Sequence, residues 1–326
     1  MHNQILGSRR DIDSAESPQV TYFVPARPGQ RRSYGNVGTC CGGTGMENHT
    51  KYQDSIYFRA ADESALYVNL YIDSTLRWPE KGFIVIQATK YPAEGASRLT
   101  LNGSGPLEIK LRVPPWVKGY AVRINGALHN VAAVPGTYLS LNRQWRSGDT
   151  IDISIPLRFR VERALDNPAV QSIFYGPTLL AVQGAAVGNS LDSGLIDFSF
   201  YKHLKLGGDL APAMAPGAKP MHFTTNGQTL APFYVADPDP AVTSPYHLYV
   251  RRHEPSVVFG SIDSGVPNRA RPDGFTFLDV LWDQAPFPSQ GQFLAVLDSV
   301  SADWRGRGLL TDVERANIRQ AAETWQ

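Results

Sequence analysis

Two thiols carry the most conspicuous chemistry in this sequence. Cys40 and Cys41 are its only cysteines among 326 residues, side by side within Gly38-Thr-Cys-Cys-Gly-Gly-Thr-Gly-Met-Glu-Asn-His-Thr-Lys-Tyr52. Four chemistries suit such a pair. A free cysteine is commonly a small buried apolar residue, although glycines and polar residues surround these two. A disulfide between neighbours closes a strained ring and twists the intervening peptide out of its planar trans geometry. The Gly-Gly-Thr-Gly turn ahead of a helix start suits a phosphate cradle, but the Gly-Lys-Ser/Thr ending of a P-loop is absent. Finally, the pair suits a thiolate site, nucleophilic, metal-bound or both. The partial positive charge of a helix N-terminus stabilises a thiolate and lowers its pKa, and zinc deprotonates a thiol that coordinates it. Zinc takes at least three protein ligands, so two cysteines complete no set, and a further donor has to be Glu, Asp or His.

The elements that must position these thiols follow from the flanking pattern. Residues 18 to 36 read as irregular, punctuated by Pro18, Pro25, Pro28, Gly29 and Gly35. After Gly45, the run Met46 to Phe58 contains no proline or glycine and sets Met46, His49, Lys51, Tyr52, Ile56 and Tyr57 near helical spacing. That spacing predicts a helix of about three turns whose N-terminus points at the thiols. Glu47 and His49 fall in its first turn and a half. Glu47 suits the helix N-terminus electrostatically, and Lys51 and Asp54 read as a solvated or ion-paired face.

From Ala65 onward the period changes to two. The runs 65–72, 82–89, 97–103, 107–114, 120–126, 137–143 and 149–156 alternate or are apolar and end in turn residues, as stacked antiparallel strands do. Asn125-Gly126 suits a two-residue hairpin, which needs positive φ at both central positions. Residues 170–184 read as one more strand closing the sandwich. The Gly-, Pro- and Ala-rich residues 185 to about 245 read as a long connection into a hairpin at Asn226-Gly227. Phe293, Val296, Leu297 and Val300 make a helix face, and Thr311-Asp-Val-Glu314 is a capping box opening a last helix. Asp263, Asn268 and Asp273 lack calcium-loop spacing and read as a turn-rich loop. Trp78, Trp116 and Trp145 read as packing residues rather than sugar platforms.

Composition narrows the partners. Thirty-one Lys and Arg against 30 Asp and Glu leave no basic excess for nucleic acid. No apolar run approaches the ~20 residues that span a bilayer, and the first residues lack a secretion signal's apolar core. Localisation stays open on this reading: cytoplasmic by the lack of a signal in these residues, secreted if the true N-terminus lies upstream.

The segment Thr39 to Phe58, TCCGGTGMENHTKYQDSIYF, resembles the cysteine motif of glycoside hydrolase families 127 and 146, the β-L-arabinofuranosidases and their relatives. The resemblance extends to residues 2–25, to ALYVNLYIDSTLRW (65–78), LRVPPWV (111–117) and GTYLSLNRQWRSGDTI (136–151), and to the tail beginning YVRRHEPSVVFG. It implies a mainly β chain with α parts: the end of an (α/α)6 toroid over 1–60, an antiparallel β-sandwich over 61–185, and a connection with a small C-terminal α+β segment over 186–326. By that resemblance Cys40 is the nucleophile that attacks an anomeric carbon and also touches zinc, and Cys41 is a zinc ligand. Their place at the start of the helix makes Glu47 and His49 candidates to bind sugar hydroxyls, the alternative being that Glu47 only complements the helix N-terminus and His49 packs against the sandwich. The family's Glu-x-Cys ligands and its acid/base glutamate have no counterpart here, so the resemblance implies a C-terminal part, inactive alone, with a missing N-terminal half. The implied partner is a plant-type arabinose-containing glycan or glycoside. A competing expectation is a non-catalytic carbohydrate-binding or structural sandwich with remnant cysteines. A thiol redox protein is a third.

Overall fold

A computed structural model describes residues 9–10, 19–20, 25–32, 47, 51, 53–184, 194–235 and 245–325. The chain divides into two compact units, 1–22 with 34–158 and 175–178, and 23–33 with 159–174 and 179–326. The sequence-based boundary at 185 thus falls inside the range of the second unit.

In the first unit, β1 (Arg9–Arg10) pairs antiparallel with β2 (Gln19–Val20). The sandwich follows: β3 (Tyr57–Arg59), β4 (Ala65–Val68), β5 (Ser74–Trp78), β6 (Phe83–Thr89), β7 (Ala96–Asn102), β8 (Gly105–Arg112), β9 (Ala121–Ile124), β10 (Ala127–Leu128), β11 (Tyr138–Trp145) and β12 (Thr150–Ser154). Its six-stranded sheet runs β10-β9-β12-β7-β6-β5, and its four-stranded sheet β11-β8-β4-β3, with β4 parallel to β8. The alternation read in the sequence is what builds it. Phe83 and Val85 of β6, Leu99 and Leu101 of β7, Leu107, Ile109 and Leu111 of β8, and Ile151 and Ile153 of β12 all point into one core. Each such side chain contributes roughly 1.5–3 kcal/mol when fully buried.

Two buried polar groups in that core are satisfied by specific partners, as burial requires. Trp145 Nε1 donates to the Leu107 carbonyl at 2.8 Å. Gln87 Nε2 donates to the carbonyls of Leu70 (3.0 Å) and Ile72 (2.8 Å), pinning the loop between β4 and β5 to β6. Asn125 and Gly126 turn β9 into β10 with φ of 50° and 81°, the left-handed pair expected of that dipeptide.

The second unit gathers β13 (Phe159–Arg163), β14 (Val170–Tyr175), β15 (Thr178–Gln183), β16 (Ile196–Phe198), β17 (Ala215–Pro216), β18 (Phe223–Thr225), β19 (Gln228–Pro232), β20 (Tyr246–His247) and β21 (Val250–Arg252) into one nine-stranded sheet. A separate hairpin pairs β22 (Ser256–Phe259) with β23 (Ile262–Pro267). Three helices follow, α1 (Phe277–Trp282), α2 (Gln290–Gly306) and α3 (Asp312–Thr324). Phe293, Leu297 and Val300 form the buried face of α2. The rings of Trp282, Phe287, Phe293 and Trp325 pack at centroid distances of 5.2 to 5.9 Å.

Three expectations change. Residues 170–184 are two strands rather than one, turning at Gly176 (φ 56°), and they join the nine-stranded sheet rather than the sandwich sheets. The helix expected to run to Phe58 does not do so, because residues 53–56 turn and 57–59 are β3. Residues expected to form a plain connection hold short strands and turns, including the Ala211–Ala213 helical turn and β17. The fold class is mainly β with a few helices. Most of residues 1–60, where the toroid remnant was expected, lie outside the described residues.

Candidate functional site

Cys40, Cys41 and His49 lie outside the described residues. Glu47 is helical and exposed. A helical Glu47 agrees with the break-free run after Gly45, from which the helix start was read.

Thiolates are soft ligands suited to zinc, yet Cys40 and Cys41 supply two donors where at least three are needed. Among the described residues no group of three or more His, Cys, Asp or Glu side chains is placed to hold a metal ion. The donor set is incomplete in what is described, and no chemical step below passes through a metal. The trio Asp263, Asn268 and Asp273 is likewise no metal site. Asp263 accepts from the Ser256 hydroxyl at 2.7 Å, Asn268 accepts from the Leu278 amide at 3.1 Å, and Asp273 pairs with Arg271 at 2.7 Å.

A cluster of ionisable side chains gathers residues that sequence reasoning does not bring together. In the second unit, Asp279 at the third position of α1 is fully buried. One carboxylate oxygen accepts from the Tyr201 hydroxyl, and the other from Arg252 Nη1 and from the amide (2.8 Å) and hydroxyl (2.9 Å) of Thr276. Arg163 lies 3.5 Å from Asp279 and forms a two-armed pair with Asp283, each arm 3.0 Å long. Burial opposes the Arg163 charge, but Tyr201, Asp283 and Asp279 outweigh it and raise its pKa. Burial, reinforced by Asp279, pushes the Tyr201 phenol well up. Arg163, Arg252, Tyr201 and Thr276 are thus anchored on one carboxylate, an arrangement that fixes the start of α1 against β13, β21 and the 201–203 turn. Both Asp279 oxygens are occupied by donors of the cluster, which makes it a structural junction. Glu254 stands beside it. Its Oε1 accepts the Tyr201 amide at 3.0 Å while its buried Oε2 meets no hydrogen-bond partner among the described residues. Burial, aided by Asp279 and opposed by the Tyr201 and Phe200 amides, raises the Glu254 carboxyl to about 7.

The sandwich carries a pocket of about 280 Å³ lined by Tyr57, Phe58, Arg59, Leu66, Leu76, Arg77, Trp78 and Glu80. It lies where β3 and β5, the outer strands of the two sheets, come beside each other. Trp145 is fully buried and Trp78 is 5% exposed, so both are packing residues as expected. Trp116 packs partly buried against the same core.

Comparison with known proteins now bears on these features. Residues 65–157 match the family model described as Beta-L-arabinofuranosidase, GH127 middle domain. That span opens at β4 and runs just past the end of β12, so the family's middle domain coincides with most of the sandwich. No curated protein matches the chain. Among solved structures, one described as a glycoside hydrolase shares 17% identity over 78% of this chain and 47% of its own, with a TM-score of 0.53. A GH127 β-L-arabinofuranosidase from Geobacillus stearothermophilus T6 shares 17% identity over 71% of this chain and 39% of its own, with a TM-score of 0.51. A GH127 β-arabinofuranosidase shares 21% identity over 72% of this chain and 42% of its own, with a TM-score of 0.55. At these identities the likeness is one of fold, and the chain spans less than half the length of each. In its middle domain and in its overall fold the chain is GH127-like.

Proposed function

We propose that this chain is the C-terminal part of a retaining glycoside hydrolase that acts on β-L-arabinofuranosides or related glycans, with Cys40 as its nucleophile. The observation that carries the proposal is the match of residues 65–157 to the GH127 middle domain, a module described by that enzyme activity. The cysteine-pair motif at 39–58 supplies the chemistry.

Retaining hydrolysis proceeds by two displacements at the anomeric carbon. Cys40 Sγ, as thiolate, attacks that carbon; the glycosidic C–O bond breaks, and an acid group protonates the departing alcohol oxygen. Water, deprotonated by the same group, then attacks the anomeric carbon and releases Cys40 as thiolate. The partial charge at the start of the helix carrying Glu47 favours the ionised sulfur in both steps. Glu47 and His49 are proposed to hydrogen-bond sugar hydroxyls. Zinc bound by Cys40 and Cys41 is part of the proposal only with a third protein donor, and the acid group is likewise proposed to lie outside this chain. The chain alone is therefore proposed to release little or no arabinose.

The test joins metal content with covalent trapping. The purified chain is analysed for zinc and incubated with an arabinofuranose derivative that carries an electrophile at its anomeric carbon. A label confined to Cys40 is expected, and zinc bound at about one per chain would show that a third donor lies within this chain. No zinc and no label would leave the sandwich with remnant cysteines as the better reading.

A further inference from the structure

The pocket between β3 and β5 has a composition that the proposed reaction does not use. Its floor is apolar and aromatic, with Leu66 2% and Trp78 5% exposed, and the Phe58 ring stands 48% exposed at its rim. Tyr57 contributes a ring whose hydroxyl is already bonded to Ser74 at 3.0 Å. The rim also carries three charges. Arg59 is paired with Glu63 at 2.5 Å, whereas Arg77 and Glu80 are exposed and form no ion pair or side-chain hydrogen bond with any described residue. The indole Nε1 of Trp78 is buried with no acceptor among the described residues. Both lining strands are outermost in their sheets, β3 bonded only to β4 and β5 only to β6, so nothing in either sheet covers this seam.

These features select among ligands by charge and shape. Arg59 is balanced by Glu63 and Arg77 by Glu80, so the rim favours neither an anion nor a cation. Guanidinium donors and a carboxylate acceptor around aromatic faces match a molecule with an apolar C–H face and a hydroxylated edge. At about 280 Å³ the space lies just under the ~300–1,000 Å³ of sites for drug-sized ligands, which suits one sugar ring. We propose that this seam is a glycan-binding subsite. A single ring stacks on Phe58, and its hydroxyls bond Arg77 and Glu80.

The experiment is calorimetric titration of the full chain with methyl β-L-arabinofuranoside and with a short arabino-oligosaccharide, in the native sequence and in Cys40→Ser. Using both backgrounds separates this site from the proposed nucleophile, because the Cys40→Ser chain should bind equally well. Saturable binding near the millimolar range is expected for so small a ligand, with Phe58→Ala weakening it about tenfold and Arg77→Ala or Glu80→Gln weakening it severalfold. Phe58 and Arg77 are exposed, so these variants fold, which circular dichroism verifies. Absence of saturable binding by either background, or binding that Phe58→Ala leaves unchanged, overturns the proposal. Sedimentation showing a dimer that Phe58→Ala dissociates also overturns it, by assigning the seam to a second copy of the chain.

Discussion

At Gly260 a single missing atom decides the packing. Its φ is 61°, and a Cβ there would stand 2.8 Å from Trp325 Cδ1. Trp325 closes the aromatic group of Phe259, Trp282 and Phe293 and is itself buried. Gly260→Ala meets both an unfavourable backbone region and a ring that cannot retreat, so a loss of about 1–3 kcal/mol is expected, read as a fall in denaturation midpoint. Glu254 sets a second expectation. Its folded pKa of about 7 stands above its usual 4.5 because of burial. The folded chain therefore holds a proton that the unfolded chain has released. The stability this contributes is complete below the unfolded value and is lost as pH rises through the folded one. Between those limits the slope approaches about 1.4 kcal/mol per pH unit at most. Glu254→Gln keeps the shape and should flatten that part of the curve in denaturant titrations; an unchanged curve would show the carboxyl to be solvated.

Among elements, α3 shows a terminus written in the sequence. Thr311 Oγ1 accepts the Glu314 amide at 3.2 Å, and Glu314 Oε2 accepts the Thr311 amide at 2.8 Å. Arg269 adds a 2.7 Å ion pair, and that bond, with the Thr311 donors, holds the Glu314 carboxyl down at about 2. Thr311→Ala is expected to cost about 1 kcal/mol, measured by thermal unfolding. The Glu314 contribution is present above its usual pKa and fades only as pH falls toward 2, in a window separate from that of Glu254. This box was legible because both its groups lie within one turn, and Asn125-Gly126 was legible because its two residues alone specify the turn. The strand β3 was not. Over three residues, Tyr57 to Arg59 cannot separate a period of two from one of 3.6, and the absence of proline and glycine upstream favoured a helix. Residues 170–184 suggest one strand because both arms are apolar, although the Gly176-Pro177 dipeptide marks the reversal.

For the molecule as a whole, legibility tracks the length and alternation of the strands. The sandwich mixes sequence neighbours with distant pairs such as β4 with β8 and β7 with β12, yet several of its strands run seven or eight residues with clear alternation. The nine-stranded sheet includes strands of two or three residues, such as β16 lying parallel to β21, too short to show a period. The Asp279 junction is equally hidden from a local reading, because its members Arg163, Tyr201, Arg252 and Asp279 are scattered over more than a hundred residues. The proposed catalytic residues were singled out by composition and resemblance, and Cys40, Cys41 and His49 fall outside the described structure. What ties them to the rest is the GH127 middle domain that follows them in the chain. The central claim is that Cys40 is held as a thiolate ready to attack carbon. It is tested most directly by the pH dependence of alkylation with iodoacetamide, followed separately at Cys40 and Cys41 by peptide mass spectrometry. The account predicts that Cys40 reacts the faster, with its half-point well below the ~8.5 of an ordinary thiol. Equal reactivity of the two, with both half-points at the ordinary value, would contradict it.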